Sequence, residues 1–249
     1  MVTTFTAHIT PFDDDRTVYV YLPDDWQHSG KRYPVFYMYD GHNLFFDSTA
    51  TYGTCWGLKE YLDAHPDLIV VGVDCDHEGD NRLVEYCPYN TRHFGGIRGT
   101  GKLFMRWLVD ELKPYVDANC PTKPERIHTA IGGSSMGGLM SLYSIAAHSD
   151  VFSRAACVSP SSSVNMPALT ADIQNAALPG PARVYISWGE GEYRDKKGLA
   201  MATCNNLNLA RELQKQGADV WSYLQPNGNH CEADWAKQVP QYMEFLWQA

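Results

Sequence analysis

No run of about 18 apolar residues, the length that a membrane-spanning helix requires, occurs in the chain. Basic residues are few: 20 Lys and Arg stand against 29 Asp and Glu, a formal net charge of −9, and no cluster of them forms a phosphate-binding stripe. Nucleic acid and membrane are therefore poor partners. The seven cysteines (55, 75, 87, 120, 157, 204 and 231) include no CxxC pair. That odd count fits neither a disulfide framework nor a zinc site and favours a reducing compartment. The opening "MVTTFTAHITPFDDD" lacks a basic segment followed by an apolar one, so a cytoplasmic location is the expectation. Repeats, low-complexity tracts and linker-like shifts are also missing. With 44% hydrophobic and 20% charged positions over 249 residues, the chain reads as one domain, 1–249, with a full core.

What is present is an alternation. Strand-like runs recur at "TTFTAHI", "TVYVYLP", "YPVFYMY", "LIVVGVD", "IHTAIGG", "AACVSP", "RVYISWG" and "VWSYLQ". Several are continuously apolar, as strands covered on both faces are. The first two predict a hairpin through "PFDDDR". Helical patterns fall between most of the rest: "CWGLKEYLDAH", "GKLFMRWLVDELKPYVDAN", "MGGLMSLYSIAAHS", "LAMATCNNLNLARELQKQG" and a closing "CEADWAKQVPQYMEFLWQA". In the second of these, Phe104, Leu108, Leu112 and Tyr115 predict an apolar stripe facing a sheet. An antiparallel start followed by alternating strand and helix predicts an α/β sandwich: a mostly parallel, eight-stranded sheet with helices on both faces. In such sheets ligands gather at the carboxyl ends of the strands.

One of those ends carries "IGGSSMGGLM", residues 131–140. The G-x-S-x-G register falls on Gly133-Ser134-Ser135-Met136-Gly137, because centring on Ser134 would put Met136 where a glycine belongs. The bare pattern is weak. Its placement between an apolar strand and an apolar helix makes Ser135 the candidate nucleophile, held on a turn too sharp for side chains two residues to either side. His128 and His148 read as ordinary strand and helix-end residues. His230, in the turn-rich "QPNGNHCEADW" between the last strand and the last helix, stands where the order nucleophile, acid, base puts a general base. The acid belongs after the seventh strand, where "VYISWGEGEYRDKK" offers Glu190, Glu192 and Asp195. Its task is to accept the second imidazole N–H and fix the tautomer. An oxyanion hole takes one amide from Met136 and one from the loop "YDGHNLFF", where Gly41 allows close approach and His42 or Asn43 supplies the N–H.

With these pieces the chain resembles the putative-esterase branch of the α/β-hydrolases, related to S-formylglutathione hydrolases, feruloyl esterases, enterochelin-type siderophore esterases and antigen 85. The resemblance rests on "YPVFYMYDGHNLF" (33–45), "LIVVGVDCD" with "RLVEYCPY" (68–89), "FMRWLVDELKPYVDANCPT" (104–122), "IGGSSMGGLMSLYSIAAHSDVFSRAACVSPS" (131–161), "VYISWGEGE" (184–192) and "GNHCEADWAKQVPQYMEFLW" (228–247). It implies Ser135 as nucleophile, His230 as base, Glu192 as acid with Asp195 in reserve, and the Met136 and His42 amides as oxyanion donors. The glutamate departs from relatives that carry aspartate there, and some siderophore esterases of this type work with Ser and His alone.

Only about twenty residues separate the sixth and seventh strands, so no large lid domain is encoded. Trp56, Tyr86 and Trp188, with Phe94 and Tyr193, are expected near the catalytic side, and the first three as substrate contacts. The reading is a serine carboxylic-ester hydrolase acting through an acyl-enzyme on a small-molecule ester, without cofactor or metal and with homo-oligomerisation left open. Acyl transfer or thioester hydrolysis on the same site, and a catalytically silent binding protein of this fold, remain the alternatives.

Overall fold

The antiparallel start forms as its alternation requires. In a computed structural model, which describes residues 1–247, β1 (Val2–Ile9) and β2 (Asp14–Tyr21) pair antiparallel from Val2 opposite Tyr21 to Ile9 opposite Asp14. The link is a short 3-10 turn at Thr10–Phe12, closed by Asp13 in the left-handed region at φ 51°. β3 (Val35–Tyr39), α1 (Leu58–Ala64) and β4 (Ile69–Val73) follow, and every residue of the two strands is buried. Next come α2 (Asn81–Glu85) and a two-stranded ribbon of β5 (Asn90–Thr91) and β6 (Ile97–Arg98). Then come α3 (Gly101–Trp107), a π-turn at Leu108–Leu112 and α4 (Lys113–Asn119). The second half alternates strictly: β7 (Thr129–Ser134), α5 (Met136–Ala147), β8 (Arg154–Val158), α6 (Met166–Asn175), β9 (Arg183–Gly189), α7 (Lys196–Lys215) and β10 (Asp219–Gln225). Two short helices close it, α8 (Glu232–Ala236) and α9 (Val239–Trp247).

The main sheet has eight strands in the order β1-β2-β4-β3-β7-β8-β9-β10, and every pairing from β4 onward is parallel. Strand alternation then builds two cores. On β3, Val35, Tyr37 and Tyr39 join the core formed with α3 and α5–α7, while Phe36 and Met38 join the one formed with α1, α8 and α9. Between β8 and β9 stand only a 3-10 turn and α6, so no large lid domain is inserted there.

Two predicted helices differ in detail. The stripe on the α3–α4 segment runs Phe104, Leu108, Leu112, Val116, and Tyr115 is exposed, its ring 5.1 Å from that of Phe5. The π-turn is the reason: the Lys113 N–H donates to the Leu108 carbonyl, five residues back, and widens the local repeat beyond 3.6. The closing helix breaks after Ala236 because Pro240 lacks an N–H and its ring would strike the carbonyl four residues earlier. The break frees the buried Gln238, which donates to Gln225 Oε1 at 2.6 Å and accepts from the Tyr185 hydroxyl at 3.0 Å.

Candidate active site

At the carboxyl end of β7 the chain turns into α5 within a single residue. Ser135 takes φ 57° and ψ −117°, a conformation that a non-glycine residue holds only when its surroundings impose it. The imposing contacts are visible. The Ser135 N–H donates to the Val158 carbonyl at 3.0 Å, and the Ser135 carbonyl accepts from Leu139 and Ser161. Gly133 and Gly137 both press on Tyr39: a Cβ on either would sit about 3 Å from the Tyr39 Cβ. One tyrosine therefore crowds both positions, and a side chain at either glycine would have to push it aside by a few tenths of an ångström. The Ser135 Oγ emerges beside the Ser161 Oγ, 3.4 Å away.

Ser135 and His230 line one cavity of about 350 Å³, together with Asp40, His42, Asp76, His77, Arg82, Glu232 and Trp235. A larger space of about 700 Å³ lies among Arg32, Pro34, Leu68 and Trp247, at the opposite ends of the strands, and is lined by no serine, threonine or cysteine. His230 is half exposed. Its Nδ1 stands 2.9 Å from Glu192 Oε2, and its ring meets the Trp235 indole edge-on with centroids 4.9 Å apart. The Glu192 side chain is 5% exposed. Its other oxygen accepts the Gly189 N–H at 2.6 Å and the Ser159 hydroxyl at 2.5 Å. The Trp235 indole N–H in turn donates to Ser159 Oγ at 3.0 Å, so one chain of bonds runs from α8 through β8 to the acid.

The other two acidic candidates are engaged elsewhere. Asp195 caps α7 by accepting the Gly198 N–H at 2.7 Å, and Glu190 accepts the Asn227 N–H at 3.1 Å. The His230 loop is itself clamped. Asp234 accepts from the Asn229 backbone and side-chain N–H groups at 2.8 and 3.0 Å and pairs with Lys237 at 2.5 Å. The Lys237 ammonium and the Asn229 amide lower the Asp234 pKa to about 2.

The two amides expected at an oxyanion hole make no bond within their own turns. Met136 is the first residue of α5 and has no carbonyl of its own helix to bond. After β3, Asp40 takes φ 57° and starts a 3-10 turn at Gly41–Asn43; the Asn43 and Leu44 amides close it onto the Asp40 and Gly41 carbonyls, leaving the His42 N–H outside its bonding. Gly41 is required there, since a Cβ would lie 2.4 Å from the Gly72 carbonyl oxygen. Arg82 fixes the start of the turn through two bonds to Asp40, at 2.6 and 2.7 Å. Burial works against the Arg82 charge, but the Asp40 carboxylate outweighs it and raises the guanidinium pKa. Burial raises the pKa of Glu232, which accepts from Asn43 Nδ2 at 3.4 Å.

The aromatic expectations need correction. Trp56, Tyr86 and Trp188 are buried core residues and line no part of the cavity. Trp56 packs on Trp235 and Tyr242, Tyr86 on Tyr39 and Phe104, and the Trp188 indole donates to Thr203. Phe94 is exposed on the β5–β6 ribbon, and the Tyr193 hydroxyl is pushed up to about 12 by burial and the nearby Glu192. Trp235, Ser159, Ser161, Arg82 and Glu232 belong to the site without having been predicted. Ser159 carried a signal only in its place directly after an apolar strand.

A mostly parallel sheet in this order, with a strained serine between its fifth strand and the next helix, defines the α/β-hydrolase class. The model of the family described as "Putative esterase" matches residues 9–246. The chain belongs to that family and is accordingly an esterase. It is 26% identical over 189 residues to "Uncharacterized protein YbbA" of Bacillus subtilis, covering 74% of this chain and 72% of that one. It is 30% identical over 125 residues to "Esterase Rv1288" of Mycobacterium tuberculosis, covering 50% of this chain but only 25% of that longer protein. Among solved structures, an S-formylglutathione hydrolase from Agrobacterium tumefaciens superposes with a TM-score of 0.72 at 14% identity, covering 99% of this chain and 94% of that one. No helix among the described residues is long and apolar enough to cross a membrane.

Proposed function

We propose that the chain hydrolyses small carboxylic esters through a Ser135–His230–Glu192 triad and an acyl-enzyme. The observation that carries this reading is the 2.9 Å contact from Glu192 to His230 Nδ1, made by a buried carboxylate whose other oxygen is already held. That contact keeps a proton on Nδ1 and the lone pair on Nε2, the nitrogen a base needs. With its hydroxyl turned from Ser161 onto Nε2, Ser135 gives its proton to His230 as its oxygen attacks the ester carbonyl. The Met136 and His42 amides hold the oxyanion. Collapse breaks the bond to the alcohol, which takes the proton from His230; water then attacks the acyl-enzyme and gives its proton to His230, and His230 passes that proton to the Ser135 oxygen as its bond to the acyl carbon breaks and the acid departs.

Cavity size and polarity favour a short acyl group on a polar alcohol or thiol. The walls carry Asp40, Asp76, Arg82 and Glu232, with Trp235 as the large apolar surface. S-formylglutathione, the substrate class in the name of one structural relative, therefore belongs in the test panel beside p-nitrophenyl acetate and octanoate, acetylated sugars, feruloyl esters and siderophore lactones. The seven unpaired cysteines support work in a reducing compartment such as the cytoplasm.

The test begins with a fluorophosphonate, which should label Ser135 at one equivalent. Ser135→Ala should abolish both labelling and ester turnover with little change in melting temperature. Labelling at Ser134, or turnover that survives in the alanine variant, would remove Ser135 from the mechanism.

A further inference from the structure

The loop leaving β4 places Asp74, Cys75 and His77 against the His42 side chain, at the rim of the same cavity. One donor atom from each of the four residues lies within 4.8 Å of all the others. Asp74 Oδ1 is 2.6 Å from His42 Nδ1 and 3.0 Å from His77 Nε2. Two of the four are deeply buried, His42 at 5% and Cys75 at 3% exposure. None of this is needed for ester hydrolysis as derived above, which uses only the backbone amide of His42.

The buried imidazole is in conflict with its surroundings. His42 Nε2 is taken by the Thr51 hydroxyl at 2.9 Å. Its Nδ1 has no hydrogen-bond partner, although the Asp74 oxygen is so near, because that oxygen stands out of line for an N–H···O bond. A buried ring nitrogen without a well-aligned partner is costly. A cation shared between it and the Asp74 carboxylate removes that cost.

We propose that His42 Nδ1, Asp74 Oδ1, Cys75 Sγ and His77 Nε2 form a binding site for a divalent transition metal ion of the zinc class. Two imidazoles, a thiolate and a carboxylate suit a borderline-soft ion and exclude calcium and magnesium, which take oxygen ligands. Bonds of the usual zinc lengths give tetrahedral edges of about 3.3–3.7 Å. The cluster therefore has to draw in by about an ångström at its widest and open slightly between His42 and Asp74. His77 is free to make that adjustment: its side chain is 58% exposed, two residues before Gly79 with its left-handed φ of 54°. It also gives the ion a route in from the cavity. On binding, the Cys75 thiol releases its proton to solvent as the metal–sulfur bond forms.

Metal binding is read directly, so the outcome does not depend on the triad. Protein stripped with EDTA is titrated with Co²⁺ and followed by absorption. One equivalent should saturate, with a near-ultraviolet thiolate-to-cobalt charge-transfer band and the visible bands of a tetrahedral site, and Zn²⁺ should displace it. Cys75→Ser should remove the charge-transfer band. His77→Ala, at an exposed position that folding does not need, should weaken binding by about tenfold to a hundredfold. Cys204→Ser, which removes the exposed thiol, should change nothing. A titration without a charge-transfer band, a band that survives Cys75→Ser, or affinity unmoved by His77→Ala would overturn the site.

Discussion

Glu192 uses both carboxylate oxygens, one on the His230 ring and one on Gly189 and Ser159. A glutamine has the same shape, but its amide cannot take both roles: with its oxygen toward Gly189 and Ser159 it points N–H groups at Nδ1, which selects the tautomer with its lone pair on the wrong nitrogen. Glu192→Gln should therefore fold normally and lose about 10³–10⁴ in kcat, by analogy with the same exchange in serine proteases. Glu192→Asp, one methylene shorter, should fall between the two because it cannot span both partners. If Glu192→Gln costs tenfold or less in steady-state turnover, the enzyme runs on Ser135 and His230 alone. At this scale much was readable: the G-x-S-x-G register and the loop of His230 follow from local order along the chain, whereas the choice of Glu192 over Glu190 and Asp195 came only from the family resemblance. Ser159 and Trp235 were not readable, because they act through a bond that joins β8 to α8 across 76 residues. Trp56, Tyr86 and Trp188 were misjudged for a related reason. Trp56 in the loop before α1, Tyr86 at the end of α2 and Trp188 near the end of β9 all lie close to the site along the chain, and that closeness does not say whether a side chain turns toward the cavity or into the core.

Among the elements, the His230 loop depends on its clamp. Asp234 joins the loop at Asn229 to the start of α8, and Lys237 and Asn229 hold its pKa near 2, about two units below that of an unfolded aspartate. A depressed carboxyl pKa adds stability in full above the unfolded value and loses it as pH falls toward the folded one. Asp234→Asn should therefore destabilise by about 1 kcal/mol at neutral pH, after allowance for the solvent around the exposed Lys237 ammonium. The difference from wild type should shrink between pH 4 and pH 2. Urea midpoints across that range check it: a constant gap between the two proteins would mean that the carboxylate charge contributes nothing. All eight strands of the main sheet were legible, since each is a short apolar or alternating run between turn residues, whereas the two-residue strands β5 and β6 were not. The π-turn and the break before Pro240 were missed: the predicted closing helix ran straight through the proline, and a five-residue step has no residue signature, so the predicted stripe ended on Tyr115 instead of Val116.

Across the whole molecule, the seven cysteines sit in different environments. Cys75, Cys87 and Cys157 are buried, Cys55, Cys120 and Cys231 half-buried, and Cys204 is exposed on α7. All seven are free. A buried thiol of this kind acts as a small apolar side chain, and Cys157, in the middle of β8, is raised in pKa by burial and closed to oxidants. The stability of the fold therefore rests on packing of the two cores and owes nothing to cross-links. The melting temperature should be the same within error with and without dithiothreitol. Ellman's reagent should count seven thiols in denaturant, but in the native protein it should react quickly with about one, Cys204. The Cys204→Ser variant should remove that fast phase without moving the melting temperature. A melting temperature that drops on reduction, or fewer than seven thiols in freshly purified denatured protein, would show that covalent bonds share the work assigned here to the packed sheet.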